Sequence, residues 1–331
     1  MARTRVGVWG VGAWGEKHAR VYAARDEAEL VGVYDADPAR AAAVAAQHGT
    51  RAFDDPDALL AACEAVSVAT PTVAHREAVE RACAAGRHVL VEKPMAPTVA
   101  DADAMVAAAA RAGTVLQVGQ VERFNPALLA ARPFVRGAKF VEAHRLALFQ
   151  PRSLDIDVVF DLMIHDIDAV LHVVGRRPVS LSAVGVAVLS HNEDIANARL
   201  EFADGCVANL TASRVSQDRL RRIRFFTSDA YVSVDLLEKT GEAFVIADPG
   251  SFRPGQADPF ALLAGIRRTK IEAQAAEPLA LELAAFLRSV REGGPGAASA
   301  EEGREALRVA EEVRRAMRER ATQWATASAG S

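Results

Sequence analysis

Short apolar runs alternate with alanine-rich segments over roughly the first 120 residues. The runs have the composition of β-strands and the segments between them that of helices, so the alternation predicts a doubly wound parallel sheet. The predicted strands are Arg5–Trp9, Glu29–Tyr34, Arg51–Phe53, Ala65–Ala69, His88–Val91 and Val115–Val118. The predicted helices between them include Pro38–His48, His75–Ala85 and Val99–Ala112. A left-handed residue commonly ends a helix, and the candidates here are Gly49, Gly86 and Gly113.

The pattern changes after Asn125-Pro126, because strand-like runs now follow one another without helices between them. Such a run predicts an antiparallel or mixed sheet in a second, α+β domain. Its predicted strands are Lys139–Leu148, Val179–Leu189, Ile195–Phe202, Val207–Ser213 and Arg222–Asp235, with a hairpin turn at Ala203-Asp204-Gly205. One helix, Val158–Val174, follows the first of them. Glu238–Thr269 is rich in proline and glycine and is predicted to form loops, before the helices Pro278–Arg291 and Ala300–Thr322.

These elements divide the 331 residues into a domain over 1–120, a second over 121–325 and a flexible tail over 326–331. The last two helices could pack back on the first domain. The chain has 39 Lys and Arg against 43 Asp and Glu, a net charge of −4, which argues against nucleic-acid binding. Three scattered cysteines predict neither a disulfide framework nor a zinc site. No signal peptide and no membrane-length apolar run is apparent, so we expect a soluble, cytoplasmic protein.

The clearest chemical signal is Gly10-Val11-Gly12-Ala13-Trp14-Gly15, which places G-x-G-x-x-G between a predicted strand and a predicted helix. The glycines allow close approach to a pyrophosphate, and the helix N-terminus offers N–H groups to it. Asp35 follows Gly15 by 20 positions, where an acid binds a ribose diol. Because Asp35 and Asp37 would repel a 2′-phosphate, we predict NAD rather than NADP, with Arg40 close enough to weaken that preference. The alternative is a glycine-rich loop without a ligand.

Two more segments follow predicted parallel strands, at the edge where open α/β sheets bind ligands. The first contains Thr70-Pro71-Thr72 and His75, which either contact the cofactor or form a strand-to-helix turn capped by Thr72. The second is Glu92-Lys93-Pro94. Lys93 either stabilises a developing alkoxide on a substrate hydroxyl or is a surface lysine paired with Glu92.

In the second domain the predicted helix Val158–Val174 carries a polar stripe at helical spacing, formed by Asp161, His165, Asp168 and His172. A carboxylate one turn from an imidazole can fix its tautomer and raise its basicity, which suits a general base. The residues alone leave open a solvated helix face. A metal site is a third interpretation, but the run from His165 to Asp168 matches no usual ligand spacing, so no metal is predicted.

Together these motifs resemble the Gfo/Idh/MocA oxidoreductases, through Gly10-x-Gly12-x-x-Gly15, Thr70-Pro71-Thr72-x-x-His75, Glu92-Lys93-Pro94 and Asp161-x-x-x-His165. The resemblance covers nearly the whole chain. It implies an N-terminal Rossmann domain and a C-terminal α/β domain with a large open sheet, through which homodimers or homotetramers assemble. The implied NAD contacts are Gly10, Gly12, Ala13, Trp14, Gly15, Asp35, Thr70, Pro71, His75, Glu92 and Lys93. The implied catalytic residues are Lys93, Asp161 and His165; of Lys93 and His165, we predict His165 as the immediate base.

Within the family, Gln117–Pro126 and Pro151-Arg152 resemble a branch that oxidises the C3 hydroxyl of UDP-N-acetylglucosamine. In that branch a PLP-dependent aminotransferase then makes a 2,3-diamino sugar for lipid A. The implied substrate contacts are Lys93, Arg123, Asn125, Arg152, Asp161 and His165, and Gln120 stands where the branch usually has histidine. A diphosphate needs cations, and the candidates are Arg123, Arg145, Arg152 and Arg214, with Arg219, Arg221, Arg222 and Arg224 from a neighbouring subunit. The alternatives are another polyol or a UDP-uronic acid as substrate, and a non-catalytic dinucleotide-binding regulator.

Overall fold

The computed structural model describes residues 3–151, 156–247 and 265–329. The described residues form two compact units. The first unit contains those up to 124 together with 276–308, and the second contains those of 125–275 and from 309 onwards. In the described ranges, no helix is long and apolar enough to cross a membrane.

The first unit is built on a parallel sheet. Its strands are β1 (Thr4–Trp9), β2 (Ala28–Tyr34), β3 (Ala65–Val68), β4 (His88–Glu92) and β5 (Leu116–Gly119). They pair in the order β2-β1-β3-β4-β5, all parallel, which confirms the predicted α/β class. The strand predicted at Arg51–Phe53 is wrong: only Ala52 pairs, in an isolated bridge to Val33. The run is too short for a ladder because a helix begins at Pro56, with Asp55 as its N-cap.

Helices connect these strands, and their ends follow local sequence signals. The helices are α1 (Ala13–Ala23), α2 (Pro38–His48), α3 (Pro56–Ala62), α4 (His75–Ala84) and α5 (Val99–Ala112). Side chains of Asp37, Asp55 and Thr98 accept hydrogen bonds from first-turn N–H groups of α2, α3 and α5. The three glycines predicted to be left-handed, Gly49, Gly86 and Gly113, have φ angles of 63°, 71° and 65°. The left-handed conformation predicted for these glycines is thereby confirmed, although α4 ends at Ala84 rather than at the predicted Ala85.

The second unit contains a mixed sheet of eight strands, which confirms the predicted second sheet. The strands are β6 (Phe140–Leu146), β7 (Pro178–Val186), β8 (Ile195–Phe202), β9 (Val207–Ser213), β10 (Leu220–Phe226), β11 (Ala230–Asp235), β12 (Thr240–Ile246) and β13 (Ile266–Ile271). Their order is β13-β12-β11-β10-β6-β9-β8-β7. Only the β6–β9 pair is parallel among these neighbours.

Two strand predictions in this unit need correction. The single strand predicted over Arg222–Asp235 is two strands, because Thr227 accepts N–H groups from Asp229 and Ala230 in a tight turn. The loops predicted over Glu238–Thr269 include β12 and most of β13. The prolines and glycines that suggested loops there lie outside the described residues, in 248–264.

Helices complete both units. In the second unit, α6 (Pro126–Ala131) precedes the sheet, and a π-helical turn at Val159–Met163 leads into α7 (Ile164–Val174). The chain closes with α8 (Pro278–Glu292) and α9 (Ala300–Ala329). Helix α8 places Leu283, Phe286 and Leu287 in the core of the first unit. Helix α9 runs to Ala329 and thus includes most of the predicted tail, whose alanines favour helix.

Candidate functional site

The glycine-rich loop joins β1 to α1. Gly10 has a φ of 86°, and a Cβ on Gly15 would lie 1.8 Å from the carbonyl oxygen of Gly10, so both positions require glycine. A Cβ on Gly12 would meet nothing within 4 Å. Gly12 caps α1 without a side-chain hydrogen bond, and exposed Ala13 and Trp14 begin the helix. The first-turn N–H groups therefore suit an anion such as a pyrophosphate.

Asp35 is buried at the end of β2, where it holds the glycine-rich loop. Its Oδ2 accepts the N–H of Val11 at 2.7 Å, and its Oδ1 accepts the N–H of Asp37 at 2.9 Å. Nη1 of Arg40 lies 3.2 Å from Oδ1, and the Arg40 side chain is half exposed. Each carboxylate oxygen can accept more than one hydrogen bond, so Asp35 retains capacity for ribose hydroxyls.

Thr70, Pro71 and His75 connect β3 to α4. Nε2 of His75 lies 2.9 Å from the carbonyl oxygen of Thr70, and Nδ1 lies 3.1 Å from that of Pro94. Burial lowers the pKa of His75, although these hydrogen bonds oppose the shift. His75 therefore ties the loop after β3 to the loop after β4. Within the described part of the chain, the buried hydroxyl of Thr70 has no hydrogen-bond partner, which fits a ligand contact there.

Glu92, at the end of β4, is held from two sides. Its Oε1 lies 2.8 Å from Nε2 of His18, a fully buried residue of α1, and its Oε2 accepts the N–H of Lys93 at 3.3 Å. A Cβ on Gly119 would lie 3.1 Å from the Glu92 carboxyl group, so β5 packs closely there. The partly exposed Lys93 thus begins at an anchored strand end. Sequence reasoning missed His18, although it stands three positions after Gly15 in a G-x-G-x-x-G-x-x-H run.

A pocket of about 790 Å³, counting its open mouth, lies in the second unit where β6 ends and β10 begins. The pocket is lined by Asp161, by leucine side chains and by four arginines, which are Arg145, Arg214, Arg219 and Arg221. It therefore combines a carboxylate, apolar surface and several cations.

Two of these arginines are buried and bound to carboxylates. Arg145 forms a bidentate pair with Asp166, both N–O distances being 2.9 Å. Nε of Arg214 lies 2.8 Å from Oδ1 of Asp194. Burial alone would raise the pKa of Asp194, but hydrogen bonds from Ser190 and Arg214 lower it well below its usual range. Arg145 and Arg214 therefore belong to the pocket wall, where removing one partner would leave a buried charge.

Asp161 lies in the π-helical turn before α7, and His165 follows in the first turn of α7. Such turns are rare in proteins, and many of those that occur lie at functional sites. Asp161 and Asp168 are 8% and 1% exposed, whereas His165 and His172 are partly exposed. A fully solvated face is therefore the wrong interpretation of this polar stripe. The π-turn also interrupts the regular helical spacing that the sequence predicted.

The remaining predicted substrate residues have other contacts or lie outside the description. Arg123, in the first unit, is buried and its Nη1 lies 2.8 Å from a carboxylate oxygen of Glu302. Asn125 is the N-cap of α6, and its Nδ2 donates to the carbonyl oxygen of Leu236 at 2.9 Å. Arg152 lies outside the described residues. In the described ranges, no group of three His, Cys, Asp or Glu side chains is placed to hold a metal ion.

The parallel sheet with its glycine-rich loop, and the mixed sheet with its pocket, define a class of protein. The chain belongs to the GFO/IDH/MocA oxidoreductase family. Residues 4–120 match the family described as oxidoreductase family, NAD-binding Rossmann fold, and residues 142–233 match the GFO/IDH/MocA C-terminal domain. The predicted family, its enzymatic class and the NAD cofactor are thereby confirmed.

Several relatives align along almost the whole chain. A UDP-N-acetylglucosamine 3-dehydrogenase from Acidithiobacillus ferrooxidans is 41% identical over 315 residues, which cover 95% of this chain and 97% of that protein. A solved structure of that enzyme from the same organism has a TM-score of 0.86 over 96% of this chain and 98% of its own. An inositol 2-dehydrogenase from Rhizobium meliloti is 27% identical over 96% of this chain and 97% of that protein. The fold and the family are therefore shared with sugar and polyol dehydrogenases.

Proposed function

We propose that this protein oxidises the C3 hydroxyl of UDP-N-acetylglucosamine to a ketone, with NAD rather than NADP as its cofactor. The observation that carries the proposal is the 41% identity, across 95% of the chain, to a relative named for that reaction. The inositol 2-dehydrogenase is only 27% identical over a similar length, so a free polyol is less well supported as the substrate.

For the cofactor, we assign the glycine-rich loop and the N-terminus of α1 to the pyrophosphate, and Asp35 to the ribose hydroxyls. The buried hydroxyl of Thr70 and the adjacent Pro71 are assigned to the same ligand. His75 and Glu92 support it by holding the loops after β3 and β4. When bound, NAD accepts a hydride from the carbinol carbon of the substrate.

For the chemistry, we assign the removal of the C3 hydroxyl proton to an imidazole nitrogen of His165. Asp161 binds the hydroxyl through its carboxylate oxygens. The ammonium group of Lys93 offsets the negative charge that develops on the substrate oxygen. The proton thus goes to the protein while the electron pair of the C3–H bond leaves with the hydride, and a carbonyl group remains.

The finer context of the reaction also belongs to this proposal. A 3-keto sugar is a substrate for transamination, so we propose that a PLP-dependent aminotransferase consumes it to make a 2,3-diamino sugar for lipid A. We further propose a homodimer or homotetramer that works in the cytoplasm. The sequence resemblance to the branch of the family acting on UDP-N-acetylglucosamine supports these assignments.

The test follows NADH formation by the purified protein with NAD and a panel of UDP-N-acetylglucosamine, a UDP-uronic acid and myo-inositol. Because alcohol oxidation by NAD is unfavourable at neutral pH, an aminotransferase and glutamate are added to remove the ketone. Substrate deuterated at C3 should transfer its deuterium to the cofactor. Absence of turnover with every UDP-hexosamine under this coupling would contradict the proposal, as would deuterium retained in the product.

The residue assignments are tested on the same assay. His165→Ala and Lys93→Ala should each lower kcat by at least about 10²-fold while NAD binding is retained. His172→Ala is the matched control, because His172 is a partly exposed histidine of the same helix. Wild-type kcat in either active-site variant would remove that residue from the mechanism.

A further inference from the structure

We infer that Asp157 and Arg314 are positioning residues for Asp161, because together they hold the π-helical turn (Val159–Met163) in which Asp161 lies. All of these residues belong to the second unit. The part that Asp161 takes in the reaction rests on the proposed function. The hold on the turn follows from the contacts around it.

Asp157 binds the backbone at the start of the turn. Its Oδ1 accepts the N–H of Val159 at 3.0 Å and that of Phe160 at 3.1 Å. Its carbonyl oxygen accepts the N–H of Asp161 at 3.1 Å. Asp157 thus binds three consecutive N–H groups, the last of them that of Asp161. Its side chain acts as an N-cap does, since it satisfies N–H groups that the first turn of a helix cannot.

These hydrogen bonds lie out of contact with water. Asp157 is 4% exposed, and Val159 and Phe160 are buried as well. Burial raises the pKa of Asp157, while the N–H groups of Phe160 and Val159 and the positive charge of Arg314 oppose the rise. Removing the Asp157 side chain would leave two buried donors without their acceptor, which is unfavourable.

Phe160 connects the same turn to helix α9. The Cζ atom of Arg314, a residue of α9, lies 4.4 Å from the centroid of the Phe160 ring. That distance is within the range of a cation–π contact. Because Phe160 immediately precedes Asp161, α9 contacts the turn next to the acid. Arg314 therefore supports the turn through a side chain, whereas Asp157 supports it through the backbone.

The geometry of the turn sets the position of Asp161 relative to His165. The N–H of Ile164 donates to the carbonyl oxygen of Val159, five residues back, which is the spacing of a π-helix. A π-helical turn contains more residues than an α-helical one, so conversion to an α-helix would rotate Asp161 relative to α7. Asp161 lines the pocket of the second unit. A change in the turn would therefore move its carboxylate relative to a substrate bound there.

The first test compares Asp157→Ala, which removes the acceptor, with Asp157→Asn, whose amide oxygen can still accept both N–H groups. Asp55→Ala is the matched control, because it removes the N-cap carboxylate of α3 in the first unit. Since a shift of about 1 Å can cost 10²-fold in rate, kcat with saturating UDP-N-acetylglucosamine and NAD should fall at least about tenfold in Asp157→Ala. In Asp157→Asn and Asp55→Ala it should stay within about threefold of wild type, as should the KM for NAD in all three variants.

Arg314→Ala tests the turn without emptying a buried position, because Arg314 is partly exposed. Its control is Arg315→Ala, which changes the next residue of α9, an exposed arginine 3.8 Å from Glu319. Loss of the cation–π contact should lower kcat by about two- to fivefold, whereas Arg315→Ala should leave kcat unchanged. Equal kcat in these two variants would overturn the joint role of Asp157 and Arg314, even if Asp157→Ala does not fold.

Hydrogen exchange on the free, full-length protein separates this inference from the proposed reaction. In a peptide that spans the turn, the amides of Val159 and Phe160 should exchange at least about tenfold faster in Asp157→Ala than in wild type or Asp157→Asn. If this pattern holds but wild type oxidises no UDP-hexosamine, the hold on the turn stands and the proposed reaction fails.

Three results would overturn the inference. One is unchanged exchange in Asp157→Ala, since the side chain would then not hold the turn. Another is faster exchange with wild-type kcat, since the turn would then not position a residue of the reaction. The third is an equal loss of kcat in Asp157→Asn or Asp55→Ala, since the effect would then be one of charge or of general stability.

Discussion

Replacing His18 by leucine should disturb the strand end at which Lys93 lies. His18 is fully buried, and its Nε2 lies 2.8 Å from Oε1 of Glu92, itself largely buried. Leucine fills a similar volume but cannot donate a hydrogen bond. The Glu92 carboxylate therefore loses one hydrogen bond in a buried position, where water cannot replace it. A hydrogen bond to a charged group is worth about 1.5–3 kcal/mol. The edge contact between His18 and Tyr22 adds about 0.5–1.5 kcal/mol. We therefore expect the free energy of unfolding to fall by about 2–4.5 kcal/mol.

The same substitution should affect catalysis through Lys93. Glu92 also accepts the backbone N–H of Lys93, so a displaced carboxylate displaces the lysine. Because a shift of about 1 Å can cost 10²-fold in rate, we expect kcat to fall between about tenfold and 10²-fold. His18→Gln is the matched variant, since the glutamine amide can still donate to Glu92 and should restore most of kcat.

Two assays decide the matter. Urea unfolding followed by tryptophan fluorescence gives the stability change, and steady-state kinetics at saturating substrate and NAD gives kcat. A loss of stability with wild-type kcat in His18→Leu would refute the link to Lys93. Equal kcat in His18→Leu and His18→Gln would refute the role of the hydrogen bond, because only the glutamine can make it. An unchanged free energy of unfolding would refute the magnitude derived from burial.

Three further predictions concern cofactor choice, thiol reactivity and acid stability. Asp35→Ser should raise the KM for NAD and lower that for NADP, because it removes a repulsive charge and releases Arg40, 3.2 Å away, for a 2′-phosphate; an unchanged ratio of the two KM values would contradict this. Burial raises the pKa of Cys63 to about 11, and all three cysteines are free and buried. Ellman's reagent should therefore label none of them rapidly before unfolding and all three afterwards. Asp194 is buried, but its hydrogen bonds keep its pKa below the value of about 4 that it has in an unfolded chain. The ionised carboxylate therefore stabilises the fold fully above about pH 4, and this contribution declines as the pH falls further. Asp194→Asn, which leaves Arg214 without its anion, should lower the unfolding free energy by about 3–5 kcal/mol at neutral pH and by progressively less in acid; a pH-independent difference would contradict the assignment.

Local signals explain why much of the fold was predictable from the sequence. Strand Ile195–Phe202 has its predicted bounds for two reasons. Alternate residues of the strand face the core, and a hairpin turn at Gly205, whose φ is 81°, follows its end. Helix Pro38–His48 has its predicted bounds because Asp37 caps one end and Gly49 the other. In each case the residues that determine the element lie within it or next to it. A single sequence contains such signals in readable form.

The errors occurred where distant residues decide the outcome. Strand β12 forms where loops were predicted, because β11 and β13 pair with its two edges. At the candidate site, the buried partner of Glu92 could not be predicted from the sequence. His18 is separated from Glu92 by 74 positions in the sequence, and no local pattern predicts a hydrogen bond between residues so far apart in the chain.

The sequence likewise does not show which arginines are paired with acids in the folded protein. From the sequence, eight arginines are equally good candidates to bind a diphosphate, since any solvated guanidinium group suits a phosphate. A buried arginine, however, requires a carboxylate, because an unpaired charge away from water is very unfavourable. Five of the eight are paired with acids, which are Arg123, Arg145, Arg214, Arg222 and Arg224. The chain, with 39 basic and 43 acidic residues, has enough carboxylates for such pairing. The near-neutral net charge therefore does not argue against an anionic ligand, because a charge summed over the whole chain says nothing about where the fold places individual arginines.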